Sequence, residues 1–296
     1  MKELTDHRIL FLGIERSTIQ LLRFRFSFFL MPVFWFAVSQ VVNKDWQSIF
    51  IIFIVLHLFV YPSSNGYNSY MDRDETSIGG LKNPSQPTRQ LLYATIVMDV
   101  LAVLLSLLVS IYFFVGIIVY ILVSRAYSYR GIRLKKYAVI GYLTVVICQG
   151  ALVFFLVYHG SHIRKTLNVP FSAMLASSLM VGGFYPLTQV YQHQADLKDG
   201  VRTISYLLGI RGTFIFAMIV YSLAFTVLAY YFISSLEVKE FFVLATCMVP
   251  LLVYFSVWAA RVWKDEHQAN FENTMKMNLL ASCCTNLGFI VVMQMQ

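Results

Sequence analysis

Two oxygen-bearing side chains four residues apart, Asn68 and Asp72, stand in a polar stretch at 65–89, directly after the apolar run Ile49–Tyr61. On a helix that continues to this point they share one face, with Thr76 next in line. An amide and a carboxylate projecting together supply hard oxygen ligands for Mg²⁺. That ion takes one or two protein carboxylates and completes its octahedron with water and substrate phosphate. The same stretch holds Asn65, Asp74, Glu75, Lys82 and Arg89. A solvated loop capping a membrane helix would have the same composition. A second cluster lies in Tyr191–Gly212. There Asp196 and Asp199 are three apart and Gln192 precedes Asp196 by four, so all three can share a helical face, with His193 among them and Lys198, Arg202 and Arg211 close behind. A lone DxxD arises by chance. Two such clusters at matching places in the chain have the layout of two half-sites, each holding Mg²⁺ against one diphosphate while Lys and Arg neutralise what remains. Between them, Ser124–Tyr137 sets Arg130, Arg133, Lys135 and Lys136 among Tyr127, Tyr129 and Tyr137. Interfacial anchoring accounts for that mixture equally well.

The elements that must position these groups follow from composition. Of 296 residues, 58% are hydrophobic and 13% charged, and the mean hydropathy is +0.66. A soluble domain carries about 25% charged residues, so the expected class is all-α: a polytopic membrane protein with its helices bundled in the lipid bilayer. Nine apolar segments, each near the roughly 20 residues a bilayer requires, run over 26–43, 47–65, 91–109, 111–124, 138–158, 170–191, 212–234, 240–260 and 277–294, within a single transmembrane domain over 1–296. The third and fourth meet near Ser110, as a tight hairpin or as one bent element. Nine segments place all but four of the 23 Lys and Arg (Lys44, Arg164, Lys165, Lys239) on one side, which the positive-inside rule makes cytoplasmic. The N-terminus is then cytoplasmic, consistent with the polar stretch Lys2–Arg25, which shows no cleavable signal peptide. The net charge of +8 is that of cytoplasmic loops and implies no nucleic-acid partner. Cys148, Cys247, Cys283 and Cys284 lie in apolar runs with no metal spacing and read as small hydrophobes.

Taken together, the three stretches resemble the UbiA superfamily of intramembrane prenyltransferases, and the resemblance runs over essentially the whole chain. That family has nine helices, an Asp-rich motif of the form NDxxDxxxD after the second, a second Asp-rich motif after the sixth, and often a YSxPPxRLK-like segment between the fourth and fifth. Here the first motif reads Asn68-Ser69-Tyr70-Met71-Asp72 followed by Thr76, and the middle segment Tyr127-Ser128-Tyr129-Arg130-Gly131-Ile132-Arg133-Leu134-Lys135. The second reads Asp196-Leu197-Lys198-Asp199-Gly200-Val201-Arg202-Thr203, running into Leu207-Leu208-Gly209. Ser69 and Thr76 stand where the first motif commonly carries Asp, and Gly200 or Val201 where the second does. These departures bear on which carboxylate binds which ion.

The resemblance implies Mg²⁺-dependent transfer of a prenyl group from an isoprenyl diphosphate to an acceptor, such as an aromatic ring, in isoprenoid quinone, pigment or lipid biosynthesis. It further implies a multi-pass protein of a bacterial inner membrane. Asp72 and Asp196 take the catalytic role, with Asn68, Asp72, Asp196 and Asp199 on the metal. Lys82, Arg89, Lys198, Arg202, Arg133 and Lys135 bind the diphosphate, and Asn65, Asp74, Tyr129, Gln192 and His193 are further contacts. A terpene cyclase on the same scaffold and a non-catalytic isoprenoid-binding protein are the competing readings. Three other features stand out. Asp99 lies inside an apolar segment, where a carboxylate is functional or paired. His57 reads as a buried, hydrogen-bonded histidine and His193 as a surface imidazole. Gly183–Pro186 predicts a break in the sixth helix.

Overall fold

The computed structural model describes residues 9–10 and 13–295. Lys2 and Arg8, on which the expectation of a cytoplasmic N-terminus partly rests, lie outside the described residues. Among those described, nine helices are long and apolar enough to cross a membrane. They are Arg16–Ser39, Trp46–Asp72, Arg89–Ser106, Ile111–Ser128, Ala138–Ser161, Phe171–Gln189, Ile204–Ser234, Val238–Lys264 and Phe271–Met295. The third and fourth have 18 residues each, about 27 Å at 1.5 Å per residue, just matching a hydrocarbon layer of roughly 30 Å. They form a hairpin. The turn ends at Ser110, whose Oγ accepts the amide of Phe113 at 3.0 Å and so caps the fourth span.

The first span begins ten residues before the expected apolar segment. Arg16–Leu22 is an α-helix burying Thr18, Leu21 and Leu22, then Arg23 turns left-handed (φ 50°) and a 3₁₀ stretch, Phe24–Leu30, leads into Met31–Ser39. The charges in this region hid a helix whose apolar side is buried.

The chain divides into two compact units, Met1–Phe28 with Phe50–Leu134 and Phe29–Ile49 with Lys135–Gln296. In the first, Leu21, Leu22, Ile78, Leu91 and Met98 form a core to which Phe59, Tyr70 and Leu81 add. Gly66 lets the second span approach closely: a Cβ there would stand 2.9 Å from both Leu22 Cδ2 and Thr95 Cγ2.

In the second unit, Phe36 is surrounded by rings, stacked on Phe289 at 4.5 Å and tilted against Phe154 at 4.9 Å. The sequence before the second span is tied to the loop after the fifth. Lys165 Nζ donates to Asp45 Oδ2 at 2.8 Å, Ser48 Oγ at 2.7 Å and the Gly160 carbonyl at 2.6 Å. The Lys165 ammonium, with help from Ser48, holds the Asp45 carboxyl down to about 2. The sixth span is α-helical over Phe171–Phe184 and tightens to a 3₁₀ helix over Tyr185–Gln189. Pro186, which has no amide to donate, sits at that change.

Candidate functional site

The first motif sits on an irregular helix. Ile54–Val60 is π-helical, and Pro62 follows at once in the α-helical piece Tyr61–Asp72. Wide turns and prolines are the common causes of a helix deformed in mid-membrane. This helix ends at Asp72, because Arg73 takes a left-handed conformation (φ 55°) and its amide closes on the Ser69 carbonyl at 3.0 Å. Asn68 and Asp72 therefore do share a helical face, but Thr76 is not the next residue along it. Asp74, Glu75 and Thr76 belong to the loop that follows. That loop is held by Arg23, which donates to the Gly79 carbonyl at 3.1 Å and to the Asn65 carbonyl at 3.2 Å. Lys82 and Arg89 are exposed, Arg89 at the start of the third span.

Side chains from the third and fourth spans lock this helix in place. Asn68 Oδ1 accepts the Ser128 hydroxyl at 2.8 Å. One turn earlier on the fourth span, Arg125 Nε donates to Asp99 Oδ2 at 3.0 Å, and its Nη2 reaches the same oxygen and Ser63 Oγ, the latter at 2.8 Å. The Ser63 hydroxyl also bonds Asp99 Oδ1 at 2.6 Å. The Arg125 guanidinium lies over the Tyr67 ring at 4.0 Å. The helix bearing Asn68 and Asp72 is thus bound through Ser63, Tyr67 and Asn68, three residues on adjacent turns. Beyond the fourth span, Arg130 Nε donates to the Met71 carbonyl at 2.8 Å. Arg133, buried at 8% exposure, places Nη2 3.5 Å from Asp72 Oδ1. Tyr129 caps the fourth span and is exposed, and Lys135 is the middle residue of a short 3₁₀ turn, Leu134–Lys136.

The second motif is a separate short helix, His193–Lys198, with Gln192 as its N-cap residue and Asp199 as its C-cap. The Asp196 amide bonds the Gln192 carbonyl at 2.9 Å, so Gln192 and Asp196 repeat the amide-then-carboxylate spacing of Asn68 and Asp72. Gly200 turns the chain left-handed (φ 71°), and the Val201 amide closes on the Asp196 carbonyl at 2.8 Å. Lys198 and Arg202 are exposed. His193 is not the surface imidazole expected: its Nε2 lies 2.8 Å from the buried Ser205 hydroxyl, and its ring meets Tyr206 edge-on at 5.8 Å. Burial lowers the His193 imidazole below its usual value. Arg211 pairs with Glu266 at 3.1 Å on an exposed surface.

Among the described residues no three His, Cys, Asp or Glu side chains converge on one point. Each motif instead offers hard oxygens from one amide and a carboxylate. That donor set suits Mg²⁺, which draws most of its shell from water and phosphate, and not an ion that needs a full protein cage.

The model of the UbiA prenyltransferase family matches residues 28–280. This chain belongs to that family. Solved structures share its fold at low identity. The UbiA homologue from Archaeoglobus fulgidus bound to DMAPP and Mg²⁺ has a TM-score of 0.67 at 19% identity, over 95% of this chain and 100% of that one. The apo UbiA homologue from Aeropyrum pernix K1 has 0.67 at 16%, over 91% and 98%. A structure described in connection with digeranylgeranylglyceryl phosphate synthase in membranes has 0.61 at 20%, over 94% and 98%. A comparison with curated proteins gave no match.

In this UbiA-family chain, the residues that sequence reasoning overlooked are the ones that hold the motifs. Arg125, just past the apolar run 111–124, belongs to the fourth span and pairs with Asp99. An aspartate inside one apolar run and an arginine at the end of the next was the available signal. Ser128, one residue of the middle segment, holds the Asn68 amide. Ser205 and Thr213 carried no signal, since hydroxyl residues are ordinary in membrane helices. His57, buried as expected, packs between Phe53 at 4.8 Å and Tyr61 at 5.1 Å, and its carbonyl accepts Ser27 Oγ at 3.0 Å.

Proposed function

We propose that this chain is a Mg²⁺-dependent intramembrane prenyltransferase, moving a prenyl group from an isoprenyl diphosphate to a lipid-soluble acceptor. The observation that carries the reading is the repeated pair of an amide and a carboxylate four residues apart, Asn68 with Asp72 and Gln192 with Asp196, each at an interrupted helix end flanked by cations. Relatives of the same fold described as bound to DMAPP and Mg²⁺ and to GPP and Mg²⁺ support it. The family match spans both compact units, which favours one functional domain over the whole chain. The Lys and Arg distribution favours a cytoplasmic N-terminus and cytoplasmic motifs, and we assign the protein to a bacterial inner membrane.

Asn68 and Asp72 would hold one ion, and Asp196 and Asp199, with Gln192 beside them, a second. Bound Mg²⁺ would offset the negative charge that builds on the departing diphosphate. Arg133 already stands beside Asp72, so it can answer phosphate oxygens from the first motif. Lys82, Arg89, Lys135, Lys198 and Arg202 are the further cations assigned to the diphosphate, and Tyr129, Asn65, Asp74 and His193 lie within the same stretches. Ser128 keeps the Asn68 amide oriented. Prenyl transfer breaks the C1–oxygen bond of the diphosphate, which leaves with the electron pair, and joins C1 to the acceptor, which gives up a proton.

The test is diphosphate release from membranes carrying the protein, with labelled prenyl diphosphates of several lengths and a panel of acceptors. Asp72→Asn and Asp196→Asn keep the shape of each side chain and remove its charge, so each should lower Mg²⁺-dependent release by orders of magnitude while the protein still inserts. Thr76→Asp lies in the loop beyond the helix end and should leave release near the unmodified level. Release that needs no acceptor would identify a cyclase. No release under any condition would leave a non-catalytic isoprenoid-binding protein.

A further inference from the structure

The second motif rests on a helix of six residues, too short to hold itself together, so something outside it must fix Asp196. At its C-terminal end the Val201 amide bonds the Asp196 carbonyl, and the Val201 side chain is buried. At its N-terminal end there is His193. The seventh span, which follows, is not a regular helix: Gly209 has φ 68° and ψ 174°, a conformation that residues with a Cβ essentially avoid. A Cβ on Gly209 would meet nothing within 4 Å. The glycine is therefore required by the backbone and not by crowding. At this break the Thr213 hydroxyl lies 2.7 Å from the Gly209 carbonyl and 3.1 Å from the Ser205 carbonyl. Its oxygen lies 3.0 Å from Ser205 Oγ, which in turn meets His193 Nε2 at 2.8 Å. Ser205 and Thr213 are both fully buried.

The hydrogens in this chain have one consistent order. A hydroxyl has a single hydrogen and a carbonyl can only accept. With two carbonyls within reach, Thr213 spends its hydrogen on the backbone. Ser205 must then donate to Thr213, which leaves Ser205 Oγ as the acceptor for the imidazole. His193 is consequently the donor, with its hydrogen on Nε2 and its lone pair on Nδ1. The opposite order would turn the Thr213 hydrogen away from both carbonyls and give up the bond to Gly209, the shortest of the three at 2.7 Å.

From this we infer that His193 is a positioning residue: through the relay His193–Ser205–Thr213 it clamps the Asp196 helix to the broken seventh span, and the Gly209 break fixes its tautomer. The inference draws its functional meaning from the proposed role of Asp196, but the relay can be measured without any activity.

The experiment uses the full chain in detergent micelles with ¹⁵N-labelled histidine. The chain has six histidines, and the His193 signals are assigned by their loss in His193→Gln. The expected spectrum shows Nε2 protonated and Nδ1 unprotonated. Thr213→Val removes the acceptor for the Ser205 hydrogen, so that hydrogen turns to the imidazole and the ring proton moves to Nδ1. Thr213→Ser keeps the original tautomer. On the same samples, amide exchange over residues 193–201 should rise about tenfold in Thr213→Val and in His193→Met, as for loss of one buried hydrogen bond. The double variant should rise no further, because the two residues belong to one chain of bonds. An Nδ1 proton in the unmodified protein, or additive exchange in the double variant, would overturn the proposal. Half-saturating Mg²⁺ for diphosphate release should rise about tenfold in Thr213→Val, matching the exchange effect, with the maximal rate within about twofold. If the unmodified protein releases no diphosphate, the prenyl-transfer reading falls, and tautomer and exchange still decide the relay.

Discussion

The two motifs present the same pair of groups and are held in opposite ways. The first is locked by charge: Arg125 and Asp99 meet inside the membrane spans, bracket Ser63 and Tyr67, and leave Ser128 to orient Asn68. The second is held by neutral hydroxyls running from His193 to a helix break. In the first unit the motif helix is the continuation of a long span, deformed at Ile54–Val60 and Pro62, so its neighbours must hold a long element in place, and an ion pair that is costly to break does so. The second motif helix is detached from both the sixth and the seventh spans. Its neighbours need only fix a short segment, and hydrogen bonds to a kinked backbone suffice. Glycine follows the same division. Gly66 is small because other side chains press on it, whereas Gly209 is glycine because of its backbone angles.

The comparison breaks most visibly at Arg125. Arg125→Met leaves the part-buried Asp99 carboxyl without its partner among apolar spans, and should cost about 3 kcal/mol, the low end for removing one partner of a buried pair. Unfolding in detergent micelles would show it. Combining Arg125→Met with Asp99→Leu should recover much of the loss. A single Arg125→Met variant no worse than Ser205→Ala would mean that the first motif is not charge-locked.

The next two substitutions separate the glycines. Gly66→Ala drives a methyl to within 2.9 Å of Leu22 and Thr95 and should cost about 1–3 kcal/mol through overpacking. Shortening Leu22 to Ala in the same chain should relieve part of that. Gly209→Ala should cost a similar 1–3 kcal/mol through backbone strain alone, and no trimming of neighbours should relieve it. Thermal midpoints of the four variants decide between the two causes. Relief at Gly209, or none at Gly66, would erase the distinction.

The smallest effect concerns the tie between Lys165 and Asp45, far in sequence from either motif. The Asp45 carboxyl is depressed from 3.8 to about 2 in the folded chain. Its contribution is therefore present above the unfolded value and is lost as pH falls from about 4 through about 2. Asp45→Asn should flatten the pH dependence of the thermal midpoint in that window, lowering the midpoint modestly at neutral pH and meeting the unmodified chain near pH 2. An unchanged slope would show that the tie is carried by Ser48 and the Gly160 carbonyl instead.

Much of this molecule was legible in one dimension. Nine apolar runs compel nine spans, because a backbone in hydrocarbon must satisfy its own hydrogen bonds and the helix does so within one segment. The spacing of Asn68 with Asp72 and of Gln192 with Asp196 is equally local, since residues four apart on a helix face the same way. The break before the second motif could be read from Pro186. What remained hidden depends on partners that sequence does not make adjacent. Arg125 looked like a loop charge until the helix hairpin set it against Asp99. Arg73 looked like one more helical residue until its left-handed backbone ended the helix and dropped Thr76 from the row. His193 looked solvent-facing until the Gly209 break brought Ser205 and Thr213 into line behind it. Apolar length and helical period are properties of a segment, so sequence alone determined the spans and the faces of the motifs. The direction of a hydrogen bond and the partner of a buried charge are properties of two or three segments together, and only the tertiary structure decided those.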